Sequence, residues 1–210
     1  MWRRSSTGIA LVAGGVGVQA CAAALWPVDT AVEPGFAQAE VRSIAVLPFF
    51  DWNLSIEEIR AATARITRVI EERNPDLRIV DPAEASDIIG AEGLAYDWAL
   101  FLWDRRQGAA ADHTVVMRAG DALGVDVLLQ VELLEASQFD GSAEYGDAVT
   151  NVVVQVSLFD SADGGVQWTG TCGIEYADSY TPYRAPSVRN AARWALNSIL
   201  DALPQLGAGQ

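Results

Sequence analysis

Apolar positions along this chain recur at two spacings, and the places where one period gives way to the other mark its elements. Ile44 to Phe50 (IAVLPFF) is short and almost wholly apolar, the pattern of a strand covered on both faces, with Pro48 near its end where a missing donor is tolerated. Ser55-Ile56-Glu57-Glu58 reads as a capping box, and Ile56, Ile59, Thr63, Ile66, Val69 and Ile70 recur at helical spacing. Leu77 to Val80 is a second short strand after the Asn74-Pro75-Asp76 turn, and Asp81-Pro82 opens a helix over Ala83 to Ile89. His113 to Leu123 reads as a helix stopped by Gly124, and Val125 to Glu135 as a long strand. Further on, Asn151 to Phe159 places Val152, Val154, Val156 and Leu158 on one side; Asp160 to Gly165 is a reversal; and Val166 to Tyr176 returns with Val166, Trp168, Gly170, Cys172 and Ile174 on its apolar face. Ser187 caps a last helix whose stripe is Val188, Ala191, Ala192, Ala195, Ile199 and Leu203, ending at Pro204. Strands and helices alternate first and an antiparallel hairpin follows. The pattern therefore predicts an α/β fold, a mixed sheet of about five strands with a C-terminal antiparallel hairpin and helices packed on it.

One segment resists a single period. In Gly93 to Gly108 (GLAYDWALFLWDRRQG) the rings of Tyr96, Trp98, Phe101 and Trp103 cannot share one helical face. Either the segment is clamped on several sides, or part of its aromatic surface is exposed and forms a partner-binding patch. These four residues are the candidate interaction site.

The first residues have a different character. Met1-Trp2-Arg3-Arg4 is basic, no charged residue occurs from Ser5 to Val28, and an apolar run leads to Val18-Gln19-Ala20-Cys21. This is the layout of a bacterial secretion signal. Val18, Ala20 and Cys21 are similar to a lipobox, from which Gln19 departs; in such signals the cysteine is acylated and becomes the amino terminus. Competing readings are ordinary cleavage after Ala20, Ala22 or Ala24, which releases a soluble periplasmic protein, and an uncleaved anchor, for which the glycines and Gln19 make a poor helix. The organisation expected is a signal peptide over 1–20, a lipidated tether over 21–40 that has two prolines and no sustained period, and one domain over 41–206.

Charge narrows the partners. The chain carries 28 acidic residues against 14 basic ones, all arginine, for a net charge of -14. That balance repels phosphate backbones, and no basic stripe interleaved with aromatics occurs, so nucleic acid is not an expected partner. It also opposes adhesion to anionic lipid, so membrane residence would come from acyl chains at Cys21, where two or three chains anchor firmly and one does not. With Cys21 acylated, Cys172 has no disulfide partner and is a small core residue.

Catalytic parts are scarce. The single histidine, His113, stands at a helix start beside Asp112, and no cysteine or serine is grouped with a base and an acid. Glu57-Glu58 and Glu71-Glu72 fall on a solvated helix face. Asp160 and Asp163 lie in a turn whose Ala162 and Gly164 occupy positions where a calcium loop needs ligands. No metal, cofactor or enzymatic activity is expected.

Three short motifs carry a resemblance. Ile44 to Phe49 is similar to an opening strand of the type V-A-V-L-P-F, Leu123-Gly124-Val125-Asp126 to an L-G-A-D segment, and Phe159-Asp160 through Gly164-Gly165 to Trp168 to a hairpin of the type V-D-x-x-T-G-x-x-x-W. Together they resemble the superfamily of curli-secretion lipoproteins, penicillin-binding-protein activator lipoproteins and TolB amino-terminal domains, over about Arg42 to Leu203. The motifs read as fold markers: Gly124 for a positive φ, Asp126 for local backbone bonding, Gly164 or Gly165 for the hairpin. The resemblance implies an outer-membrane lipoprotein facing the periplasm, an accessory to cell-wall synthesis, secretion or surface-structure assembly with an envelope protein partner and room for a homo-oligomer. The alternative it implies, a secretion-channel subunit of the curli type, needs further alternating strands of about 9–11 residues, for which Ala136 to Ala148 is too short and polar.

Overall fold

The computed structural model describes residues 22–34, 36, 40–49, 55–142, 147–177 and 183–206. Its elements run β1 (Ala22–Leu25), β2 (Asp29–Val32), β3 (Ser43–Val46), α1 (Ile56–Arg73), β4 (Arg78–Val80), α2 (Pro82–Ala91), α3 (Ala95–Arg106), α4 (His113–Leu123), β5 (Val127–Phe139), β6 (Val149–Asp160), β7 (Val166–Ala177) and α5 (Val188–Ala202). They form one seven-stranded mixed sheet in the order β1-β7-β6-β5-β3-β4, with β2 also paired to β7. β3 runs parallel to β4 and β5, while β5, β6 and β7 form an antiparallel meander.

The period-2 patterning decides what each face of the sheet meets. Ile44, Val46, Val127, Leu129, Val131, Val154, Val156 and Trp168 point to one face, where Ile66 and Ile70 of α1 and the Ala191, Ala195, Leu196 and Ile199 stripe of α5 close over them. Ala45, Leu47, Leu128 and Phe159 point to the other, under α2, α3 and α4, and Val166 joins them instead of the face of Trp168 and Cys172, because a register shift at Gln167 interrupts the alternation of β7. The fold is thus helix, sheet and helix in three layers around two cores. β3 is buried at every position, as its unbroken apolar run requires.

The helix boundaries follow local chemistry. Asp81 accepts from the N–H groups of Ala83 and Glu84 at the start of α2, Asp112 from Thr114 N–H at α4, and Ser187 from Asn190 N–H at α5. α4 stops at Gly124, whose φ of 61° is the left-handed conformation that favours glycine. At α1 the expected capping box includes the Glu58 side chain, which lies outside the described residues, and Ser55 contributes its carbonyl to Ile59 N–H.

Two expectations are corrected. Asp126 does not bond its local backbone. Its Oδ2 accepts from Arg42 N–H (2.9 Å), Ser43 N–H (3.0 Å) and Ser43 Oγ (3.0 Å), while Asp126 N–H donates back to Ser43 Oγ (3.0 Å). The carboxylate therefore ties the start of β3 to the start of β5 across more than eighty residues, where parallel strands have no hairpin to set their register. The second correction concerns the segment read as a tether. Ala22–Leu25 and Asp29–Val32 pair antiparallel with β7, and Trp26 and Glu33 add further backbone bonds to it. Main-chain pairing needs no hydrophobic period, and β7 would otherwise end the sheet in a row of unpaired groups. The indole of Trp26 lies over Gly173, where a Cβ would come within 2.2 Å of the ring. Cys21 and the lipobox-like residues before it lie outside the described residues.

Partial burial raises the Asp126 pKa, but the bonds from the Arg42 N–H, the Ser43 hydroxyl and the Ser43 N–H outweigh it and hold the carboxyl below its ordinary value. A depressed folded value means stability that is complete above the unfolded value of about 3.9 and is lost as pH falls through the folded one. Asp126→Asn should therefore cost about 1–3 kcal/mol at neutral pH. In urea titrations the gap between wild type and variant should close as pH is lowered from about 7 to about 2, because the protonated wild-type carboxyl accepts little better than the amide.

Candidate interaction surface

α3 is the element that the sequence left divided, and the structure sorts its rings into two opposed faces. At 100° per residue, Trp98, Phe101, Leu102 and Arg105 turn toward the sheet, whereas Tyr96, Leu100 and Trp103, at i, i+4 and i+7, make a stripe on the far side. Trp98 and Phe101 are buried, in ring contact with each other at 5.3 Å and with Phe159 at 6.0 and 5.5 Å. They are core, and their expected place in a partner-binding patch is corrected: a ring closed in by Phe159 cannot meet a partner. Tyr96 (75% exposed), Trp103 (54%) and Leu100 (44%) remain at the surface. Leu100 is the member that sequence reasoning missed; its i+4 spacing from Tyr96 was the available signal.

Polar contacts fix which face goes in. Trp98 Nε1–H donates to Gln130 Oε1 at 2.9 Å, and the Gln130 amide in turn donates to the carbonyls of Pro48 and Val131. About two turns further on, Arg106 Nη2 lies 3.2 Å from Glu132 Oε1 and Arg105 Nη1 lies 3.7 Å from Glu132 Oε2. Glu132 is 3% exposed, the most enclosed charge of this group. Burial pushes its pKa up, against the pull of Arg105 and Arg106, and burial also lowers that of Arg105. The Arg105 guanidinium stacks 4.7 Å from the Phe159 ring, and its Nη2 donates weakly to Ser157 Oγ at 3.4 Å. At 3.7 Å the Nη1 contact with Glu132 is an ion pair without a hydrogen bond, so Nη1 is buried and unsatisfied.

On the opposite helix layer a cleft of about 240 Å³ opens between α1 and α5. Phe49, Ala62, Ala192 and Leu196 line it, with Arg65, Arg189 and Arg193 at its sides. Arg65 Nε donates to Asn197 Oδ1 across the two helices.

The groups considered for chemistry are dispersed. Glu71 and Glu72 are exposed on α1, and His113 is exposed at the start of α4. Asp160 and Asp163 accept from Ala162 N–H and Gly165 N–H in their own turn. Cys172 is a free, buried thiol whose pKa is raised by burial. Among the described residues no group of three or more His, Cys, Asp or Glu could hold a metal ion, and no helix is long and apolar enough to cross a membrane.

No family model and no curated protein matches this chain. Among solved structures it is similar to the PelC dodecamer from Paraburkholderia phytofirmans, at 16% identity and a TM-score of 0.48, over 86% of this chain and 98% of that one. It is also similar to lipoprotein GNA1162 from Neisseria meningitidis (14%, TM-score 0.43, 76% and 96%) and to the LpoB C-terminal domain from Salmonella enterica (12%, 0.35, 64% and 84%).

The two tryptophans of α3 should separate cleanly in denaturation. Trp98→Ala removes a buried ring and strands Gln130, and should cost about 3–5 kcal/mol. Trp103→Ser should stay within about 0.5 kcal/mol of wild type. Glu132→Ala leaves two arginines without their anion at the sheet and should cost about 3–5 kcal/mol, measured as a fall in the urea midpoint.

Proposed function

We propose that this chain is a non-catalytic bacterial envelope lipoprotein that uses the outer face of α3 to bind a protein partner, as an accessory to cell-wall synthesis, secretion or surface-structure assembly. The observation that carries the reading is the stripe of Tyr96, Leu100 and Trp103 at i, i+4 and i+7, three large apolar side chains exposed directly opposite the face that α3 buries. Amphipathic helices that dock in a groove present anchors at this spacing, and a scaffold that hides Trp98 and Phe101 while exposing these three has no folding reason to keep them apolar. The dispersal of carboxylates, histidine and thiol supports a binding role over a catalytic one.

Membrane attachment in this reading is by acylation of Cys21, with the mature protein on the periplasmic side of the outer membrane. β1 begins at the next residue and pairs along β7, so an acyl anchor there would hold the sheet edge near the lipid surface on almost no leash.

Cys21→Ser should move the protein from the membrane fraction to the soluble periplasmic fraction; unchanged fractionation would mean that an uncleaved segment is the anchor. For the surface, crosslinking in intact cells should trap a partner with the wild-type chain. Tyr96→Ser/Trp103→Ser should lose that product while its Tm stays within about 2–4 °C of wild type. A trapped partner that survives the double variant would remove α3 from the interface.

A further inference from the structure

The α3 stripe and the α1/α5 cleft lie on opposite helix layers of the same sheet, and their chemistry is complementary. On the helical wheel the stripe is bordered along one edge by Asp97 and Asp104, with Glu92 just before its first turn and Glu84 and Asp87 exposed on the neighbouring α2. Asp97 is held by Arg118 at 3.1 Å, which leaves Asp104 and Glu92 as the acids beside the stripe whose pairing within the chain is not already taken up by that bridge. The cleft is the reverse: an apolar floor of Phe49, Ala62 and Leu196 between Arg65, Arg189 and Arg193. In a chain of net charge -14 with no lysine, three arginines gathered around one apolar cleft are a local exception. The cleft's 240 Å³ is below the roughly 300–1,000 Å³ of small-molecule sites, and suits the side chains of a docked helix.

We infer that the partner of the α3 stripe is a second copy of this chain: α3 of one copy docks in the α1/α5 cleft of the next, Trp103 and Leu100 on the apolar floor and Asp104 facing the arginines. This rests on the reading of α3 as a protein-docking surface and names its occupant. The two surfaces differ, so the contact is heterologous; it propagates head to tail beyond a dimer and closes into a ring if the rotation permits. Opposite charges at the border set the register and repel a stripe-to-stripe pairing, in which Asp104 would meet Asp104.

The full-length chain in intact cells, treated with a short bismaleimide, tests this. Gln107 lies at the end of the stripe and Ala61 at the cleft, both exposed, so Gln107→Cys and Ala61→Cys leave the packing alone. A chain carrying both should give a ladder of dimer, trimer and larger products. Either single variant should give no dimer, and the two singles co-expressed should stop at dimer. Trp103→Glu and, separately, Arg193→Glu in the double-cysteine chain should each reduce the ladder at least tenfold, with the protein retained at wild-type level. The absence of any product from the double-cysteine chain, or a dimer from either single variant, overturns the inference. A photo-crosslinker at Leu100 separates the two readings: capture of a different protein without a ladder removes self-docking and keeps α3 as a docking surface, and capture of nothing removes both.

Discussion

The Glu132 carboxylate, enclosed beneath α3 and met by Arg105 and Arg106, is the contact on which the orientation of α3 and its exposed stripe depends. α3 is apolar on two opposed sides, so hydrophobic burial alone does not choose its rotation about its axis. A rotation of half a turn would bury Tyr96, Leu100 and Trp103 and would leave a charge stranded on the sheet at Glu132, an unpartnered side-chain oxygen at Gln130 and Trp98 Nε1–H facing water. Such losses exceed the difference between two apolar faces of similar area. A buried ion pair of this kind contributes little net stability. What it contributes here is the choice of one orientation among two of similar apolar content.

The same division of labour holds elsewhere in the fold. Apolar area brings β3 to β5, but many slippages of two fully buried strands would bury similar area. The Asp126 carboxylate selects the one in which it caps Arg42 and Ser43 N–H and exchanges bonds with the Ser43 hydroxyl. At the other edge, β1 and β2 close the unpaired side of β7 through backbone bonds. The edge of the sheet passes to these two strands, each only four residues long, and short edge strands offer little template for pairing with another molecule.

Association through a helix stripe and an arginine-bordered cleft has a further consequence. Both surfaces are carried on rigid helices that pack on one sheet, so their relative disposition is set by the sheet's own geometry. A change in sheet twist would alter the step from one copy to the next without touching a contact residue.

Periodicity by itself determined the order of the elements from β3 onward, with the exception of α3. The strands β3 to β7, the caps at Asp81, Asp112 and Ser187, the stop at Gly124 and the core position of Cys172 are all consequences of local spacing and short-range hydrogen bonding. Three things were decided only in three dimensions, each for a physical reason. The rotation of α3, and with it which of Tyr96, Trp98, Phe101 and Trp103 face outward, depends on Gln130 and Glu132, which are about thirty residues away in sequence. The partner of Asp126 lies eighty-four residues upstream at Arg42, beyond any turn rule. Residues 22–32 joined the sheet through main-chain atoms, which carry no side-chain pattern to read and find their complement only once β7 has folded.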